Sequence, residues 1–353
     1  MPSTTPRNGV DLSPAAAGGE TTSPDFGKVR DEFRALTSTC GVYDLSSRAK
    51  IELTGGDRVR WLNGMVTNNV RDLGVGYGVY VFLLNPQGHI LGDFFAYNRG
   101  DRLLVDLDRS QVEKVLATFS HYIIMDDVEV TNVSDQLTSL GIAGPNANNA
   151  LKAAGFEVGE LKPLQIEDFT WRRINLRVVR GEREQYPSYE IWATPEQTAE
   201  ARAALVASGA APVDRESLEL YRVGLGVPLY GQDIRERDLP QETEQQRALN
   251  FNKGCYIGQE IVERIRSRGK VHRKFTGFRV AGPPPGPGTK VQVQGNDVGE
   301  ITSSAVIPAS NGDRAVALGY IRREVGIPGK DVQIAESRAT VADLPFADLL
   351  TKQ

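Results

Sequence analysis

The chain has 353 residues, 40% of them apolar and 24% charged, and a formal net charge of −4. That length predicts two or three domains, the composition is that of a soluble globular chain, and the mild acidity argues against wholesale coating of nucleic acid. No apolar run reaches the ~18 residues of a membrane span, no basic start followed by an apolar core marks a secretory signal, and the two cysteines, Cys40 and Cys255, read as cytoplasmic thiols, not a disulfide framework.

Residues 1–24 are Pro, Ser, Thr, Gly and Ala with few large apolar groups, which predicts a disordered tail. Residues 25–36 read as a short helix, and 40–53 as a turn and strand. Asp57 is placed to cap a helix with the apolar face Val59, Leu62 and Met65 or Val66, and Asn68 and Asn69 are turn residues. Residues 77–84 and 89–97 read as paired strands around the turn Asn85-Pro86-Gln87-Gly88. Asp93 falls inside the returning strand among Ile90, Leu91, Phe94 and Phe95; a carboxylate there must be solvated, paired or functional. A strand at 101–107, a helix at 110–119 and strands at 123–133 and 137–142 follow. Gly144-Pro145-Asn146-Ala147 opens a helix ending near Gly155. Strands are predicted at 171–179 and 190–193, a helix from Thr194-Pro195-Glu196 to about Ser208, and another at 216–223. Glu190 by itself reads as an outward-facing strand residue. Arg222 offers a planar fork either to an anionic or carbonyl-rich ligand or to Asp233 as a structural bridge. Hairpins alternating with helices give an α+β class. Beyond Pro283-Pro284-Pro285-Gly286-Pro287, residues 290–294, 299–307, 315–321 and 332–335 read as short strands of a small β-barrel.

Lys253-Gly254-Cys255-Tyr256-Ile257-Gly258-Gln259-Glu260 carries the densest signal. Ile257, Ile261 and Ile265 have helical spacing, which places Gly254 and Cys255 at the mouth of a helix. Free amides there, with Lys253, favour a thiolate; the same place also suits a small buried residue. Arg264, Arg266, Arg268, Lys270, Arg273 and Lys274 then form a basic run of the kind that is usually a solvated face. His89, His121 and His272 are scattered, and no spacing marks a metal site.

The octapeptide, with Arg268-Gly269 and Arg273-Lys274 after it, resembles the signature of the YgfZ family. These are folate-binding proteins tied to iron–sulfur cluster assembly or repair, homologous to the aminomethyltransferase (T-protein) of the glycine cleavage system. The resemblance runs from about Phe26 to the end. It implies a three-part, ring-like (cloverleaf) α+β fold: two interleaved folate-binding subdomains over 25–270 and a C-terminal β-barrel over 271–353. It implies tetrahydrofolate, or a one-carbon-substituted folate, in the central opening. On the T-protein pattern, Gly92-Asp93-Phe94 falls on the catalytic aspartate and Tyr80 on an aromatic against the folate. Ser188-Tyr189-Glu190-Ile191 falls on the segment whose glutamate pairs with the pterin by two parallel hydrogen bonds, with Ser188 in place of the motif glycine. Arg222 falls on an arginine near the folate. Many YgfZ-type proteins lack the acid present here as Asp93.

Two readings follow from the resemblance. In the first, Lys253 and Cys255, with Asp93, carry a family-specific activity that supports iron–sulfur cluster assembly or repair, and so the maturation of iron–sulfur enzymes, tRNA-modifying ones included. Its partners would be those enzymes or assembly factors, with the basic run meeting a polyglutamylated folate tail or an RNA backbone. In the second, the chain is an aminomethyltransferase or a related one-carbon transferase. Asp93, Glu190 and Tyr230-Gly231-Gln232-Asp233 favour it, and Cys255, a thiol T-proteins do not need, opposes it. A non-enzymatic binding module, acting on tRNA modification through iron–sulfur enzymes and supported by the basic run alone, stands beside these two readings, and none of the three places a membrane among the partners.

Overall fold

The computed structural model describes residues 26–269 and 271–351. The tail expected at 1–24 and Lys270 lie outside the described residues, as does the side chain of Arg268. The chain opens with helix α1 (Phe26–Ser38) and strand β1 (Gly41–Asp44). It then builds β2 (Arg48–Thr54), α2 (Arg58–Met65), β3 (Gly78–Leu84), β4 (Ile90–Asn98), β5 (Leu103–Asp108), α3 (Val112–Tyr122) and β6 (Glu129–Asn132). It returns beside β1 with β7 (Thr138–Ala143), α4 (Ala147–Ala153), β8 (Ile166–Trp171), β9 (Ile174–Arg180), β10 (Ser188–Ala193), α5 (Pro195–Ala207) and β11 (Ala211–Pro212). Helices α6 (Arg215–Leu225) and α7 (Gln259–Arg268) lead to β12 (Arg273–Val280), β13 (Lys290–Val293), β14 (Asn296–Ile307), β15 (Arg314–Arg322), β16 (Asp331–Ile334), β17 (Ser337–Ala342) and α8 (Ala347–Leu350).

Local chemistry sets several of these boundaries. Thr194 and Gln197 close a reciprocal capping box at the start of α5, with Pro195 in its first turn. Helix α6 stops at Gly226, whose φ of +66° suits glycine. Asp57 does not cap α2 through its side chain; its carboxylate accepts from Arg60 and from the backbone of Asp127. The strand expected at 123–133 is only β6, because Asp126 and Asp127 are drawn to Arg60 and the Gly56 amide at the start of α2. The strand expected at 171–179 is a hairpin of β8 and β9, turning at Arg172 and Arg173, both with positive φ. Arg-Arg lacks the Asn or Gly that usually marks such a turn.

Three sheets result: an antiparallel five-stranded sheet (β3-β4-β5-β2-β6), a six-stranded sheet (β11-β1-β7-β10-β9-β8) and a closed six-stranded barrel. The barrel needs β12 and β17, both missed by the four-strand expectation; they pair with each other and seal it. Helices α2 and α3 cover the outer face of the five-stranded sheet through Trp61, Leu62, Val115 and Phe119. Helices α4 and α5 cover the outer face of the six-stranded sheet through Leu151, Ala201 and Leu205. The inner faces of the two sheets meet at Tyr97, Leu104, Leu137, Ile166, Val179 and Trp192. Strand alternation therefore decides which side chains enter that interface.

The barrel is joined to the rest through α6. Arg222 donates to Glu219 (2.8 and 2.5 Å), Val227 O (2.6 Å), Asp233 (2.7 Å) and Ser303 Oγ (2.9 Å). Asp233 is fully buried and also accepts from Ser303 (2.7 Å), Thr302 and the Leu229 amide (2.9 Å). Removing the guanidinium strands a buried carboxylate. Arg222→Met is expected to cost roughly 3 kcal/mol of unfolding free energy in a denaturant titration; a loss below about 1 kcal/mol would show that the joint does not depend on the pair.

Candidate functional site

Asp93 faces inward from β4, opposite Phe82 of β3. Its Oδ2 accepts from the Tyr80 hydroxyl at 2.5 Å and its Oδ1 from Gln111 Nε2 at 2.8 Å, while its amide donates to Gln111 Oε1 at 2.9 Å. Gly92 makes this clamp fit, since a Cβ there would stand 3.0 Å from Gln111 Oε1. The Arg247 guanidinium lies 4.3 Å above the Tyr80 ring and pairs with Glu182 from the loop before β10. Burial holds the Asp93 carboxyl above the usual carboxylate range, against the opposing pull of Tyr80, Gln111, Arg48 and Arg247.

Glu190 faces the same inter-sheet space from β10. Its Oε2 accepts from Trp192 Nε1 at 2.7 Å. Burial, and then the Asp106 charge, raise its pKa, while Lys50 and Arg48 oppose them. Asp106 on β5 takes Arg48 in a fork (2.6 and 2.8 Å to Oδ2) and Lys50 at 2.7 Å. Despite full burial, those two cations hold its carboxyl below the usual range. Arg48 is within electrostatic reach of both Asp93 and Glu190, so the structure brings these two carboxylates to one charged region. Two aromatic rings are fitted against glycines at the same interface: a Cβ on Gly141 would stand 2.1 Å from the Tyr43 ring, and one on Gly78 2.4 Å from the Tyr97 ring.

The other expected site residues are placed elsewhere. Tyr189 neighbours Glu190 but points to the opposite face of β10, into the α4–α5 core, with Arg180 5.0 Å over its ring. Arg222 is spent on the barrel joint. Lys253 is buried, and its Nζ donates to the carbonyls of Asn63 (2.5 Å), Val66 (2.5 Å) and Asn68 (2.8 Å), the exit of α2. Burial, with Arg71 nearby, pulls its pKa down to about 7; three carbonyl acceptors match the three protons of an ammonium. Cys255 is exposed. Helix α7 begins at Gln259 behind a Gly258 cap, so Cys255 lies in the preceding loop and not at the helix mouth. Gly258, at φ +80°, leaves no room for a Cβ, which would stand 2.6 Å from Asn85 O in the β3–β4 turn. Much of the octapeptide therefore docks α7 onto that turn and onto α2. Cys40, by contrast, is buried, and burial pushes its thiol up to about 12.

Residues 15–253 match the family model described as the GCVT N-terminal domain, more than half of the chain. The chain belongs to that family. An aminomethyltransferase of Rubrobacter xylanophilus is 29% identical over 332 residues, covering 91% of this chain and 87% of its own. One of Halothermothrix orenii is 27% identical over 336 residues, covering 91% and 92%. The glycine cleavage system aminomethyltransferase T of Bartonella henselae has a TM-score of 0.81 across 91% of this chain and 90% of its own, at 21% identity, which establishes the shared fold.

Within this GCVT family member, the residues that sequence reasoning missed are Arg48, Lys50, Asp106, Gln111, Trp192 and Arg247. Only the placement of Asp106 inside the apolar run Leu103-Leu104-Val105-Asp106-Leu107 of β5 offered a signal. The basic run is partly neutralised: Arg266 pairs with Glu263, and Arg273 with Asp238 and Glu242. Among the described residues, no His, Cys, Asp and Glu cluster is arranged to hold a metal, and no helix is long and apolar enough to cross a membrane.

The raised carboxyls have a pH signature. Asp93 and Glu190 bind protons more tightly folded than unfolded, so the stability they give is full below about 4 and is lost as pH rises through their folded values. Asp93→Asn/Glu190→Gln is expected to remove that part of the fall in unfolding free energy above pH ~4. Identical pH slopes for the variant and the parent would contradict the assigned burial.

Proposed function

We propose that the inter-sheet region binds a reduced folate and that the protein is a folate-dependent one-carbon transferase of the aminomethyltransferase kind. The observation that carries this is the pair of inward carboxylates, Asp93 and Glu190, on facing sheets beside Tyr80, Tyr97 and Trp192. The residues fit the ligand. Glu190 has one oxygen, Oε1, with no hydrogen bond among the described residues, and a carboxylate accepts a pair of bonds from an amino-pyrimidine edge. Arg183, half-buried in the loop beside Glu182, has no carboxylate partner among the described residues. With Arg247 it gives that side a positive charge suited to the anionic tail of a folate. A bound reduced folate would supply the nitrogen that accepts or donates the one-carbon unit.

The chain's own groups would bind, orient and move a proton. Tyr80 and Gln111 fix the Asp93 carboxyl by two hydrogen bonds, and the Asp93 amide donates a third to Gln111. Its raised pKa brings it closer to the range in which a carboxyl exchanges a proton near neutrality. Its partly buried place between the sheets limits its contact with water. The relatives named aminomethyltransferase support this chemistry over most of their length. Two unpaired thiols fit a reducing, cytoplasmic setting.

Calorimetry with tetrahydrofolate is expected to show binding that weakens about tenfold or more on Glu190→Ala, since two charge-assisted bonds are worth over ~1.4 kcal/mol. With lipoylated carrier protein, ammonia release dependent on this chain is expected, and Asp93→Asn should lower it by about a hundredfold. Unchanged affinity in the glutamate variant would remove the folate site.

One observation favours a second reading. Cys255 is exposed on a loop whose base is tied down by Lys253, an arrangement the transferase reading does not use. We infer from it the support of iron–sulfur cluster assembly or repair, with iron–sulfur enzymes or assembly factors as partners. Cys255→Ser should then abolish rescue of cluster-enzyme activity in a deletion strain and leave folate affinity unchanged. Full rescue by the serine variant would end this reading and leave the first intact.

A further inference from the structure

Lys50 pairs with Asp106, and its other contacts have no part in the reading so far. Its side chain is 0% exposed, so it touches neither solvent nor a ligand. Its Nζ lies 2.7 Å from Asp106 Oδ1 in its own sheet, 2.6 Å from Ser139 Oγ in the facing sheet, and 4.3 Å from the Trp192 ring centroid. The N–H of that indole donates to Glu190 Oε2 at 2.7 Å. One buried cation thus bears on the face of the ring whose N–H holds the carboxylate.

We propose that Lys50 is a positioning residue that holds the Trp192 indole, and through it the Glu190 carboxylate, so that the unbonded Oε1 faces the amino-pyrimidine edge of the ligand. This rests on the folate reading of Glu190. A cation over an indole face, desolvated by both sheets, fixes the ring plane, and the ring plane fixes the direction of the Nε1 donor. Ser139 fixes the ammonium in turn.

The charges around Glu190 give the arrangement a second consequence. Asp106 faces it from β5, Lys50 and Arg48 from β2, Tyr43 from β1 and Tyr97 from β4, with Trp192 on its own strand. Arg48 and Lys50 balance Asp106 and Glu190 one for one. Without the ammonium, Asp106 keeps only Arg48, and Glu190 faces a less compensated anion. Its proton then binds more tightly, and an ionised Glu190 is what the pterin edge requires.

The test reads Glu190 without a ligand first. Trp192 fluorescence is followed against pH, with Glu190→Gln subtracted to isolate the titration of that carboxyl. Lys50→Met is expected to move the midpoint up by about one pH unit or more, and to weaken tetrahydrofolate binding at neutral pH about tenfold. Lys50→Arg, which keeps a cation, is expected to restore most of both. Trp192→Phe keeps a ring over Lys50 but deletes the donor. It is expected to weaken folate binding about tenfold with the melting temperature nearly unchanged, and it decides the matter if Lys50→Met does not fold. An unmoved midpoint in folded Lys50→Met, or unchanged folate affinity in Trp192→Phe, overturns the proposal. Absence of tetrahydrofolate binding in the parent protein defeats the folate reading, and the ligand-free titration still decides whether Lys50 governs Glu190.

Discussion

Two sheets that pack face to face ordinarily bury apolar side chains between them. Here they enclose four charged groups, Lys50 and Asp106 fully buried and Arg48 and Glu190 partly so. Arg48, Lys50 and Asp106 come from one sheet and Glu190 from the other, and Lys50 crosses to Ser139 and Trp192. Desolvating such a set is expensive, and its net neutrality, with hydrogen bonds on Asp106 and Lys50, is what offsets that cost. The sheets therefore have one register in which they fit. A slip of one residue in β10 would exchange Glu190 and Trp192 for Tyr189 and Ile191, and leave the other three charged groups with no fourth. The polar contact specifies how the two halves meet, and the apolar contacts around it supply the adhesion.

Close approach of backbone to ring completes that interface. Tyr43 and Tyr97 lie flat against Gly141 and Gly78 at distances that no Cβ would tolerate. Each ring takes the volume a side chain would have filled on the neighbouring strand, which preserves packing while keeping hydroxyls near the charged region. The same device recurs at α7. Gly258 and Gly88 let the helix start rest on the β3–β4 turn, with a Cβ on Gly88 falling 2.8 Å from Ile261. That turn begins the strand that carries Asp93, so the octapeptide bears on the site through the backbone more than through its own side chains.

Much of this was legible in the sequence, and the parts that were not share a cause. Alternation in β4 places Asp93 on one face with Phe95 and Tyr97, and the polar residues of the 85–88 turn mark the hairpin. Glu190 is legible only through resemblance, because a glutamate on a strand ordinarily faces water. Lys50 is illegible: a lysine in a strand reads as solvated, and its burial depends on Ser139, 89 positions away, and on a tryptophan from another sheet. Tyr189 was expected against the folate through the resemblance, but it faces the α4–α5 core, since the resemblance names a segment and only period-two alternation separates neighbours within it. Arg172-Arg173 hid a hairpin because neither residue favours positive φ.

The two ends of the reading make opposite demands on the fold. A carboxyl with a raised pKa needs a rigid, partly desolvated surrounding, which the facing sheets, Gln111 and Tyr80 supply to Asp93. A thiol that meets a partner needs exposure, which Cys255 has. Lys253 stands between the two demands. Its ammonium gathers three carbonyls at the exit of α2, and the next residues release the chain into a loop where Gly254 has no neighbour within contact of an added Cβ. The loop is therefore fixed at one side by buried Lys253 and at the other by buried Tyr256, the Ile257 amide on Gly64 O and the Gly258 cap, and only Gly254 and Cys255 stand exposed in between. That geometry presents a thiol at a set place with its near surroundings open, and it does so without disturbing the sheets that hold Asp93 and Glu190. Cys255 and the two carboxylates are consequently separable by single substitutions: a change at the exposed thiol leaves the inter-sheet contacts of Asp93 and Glu190 in place.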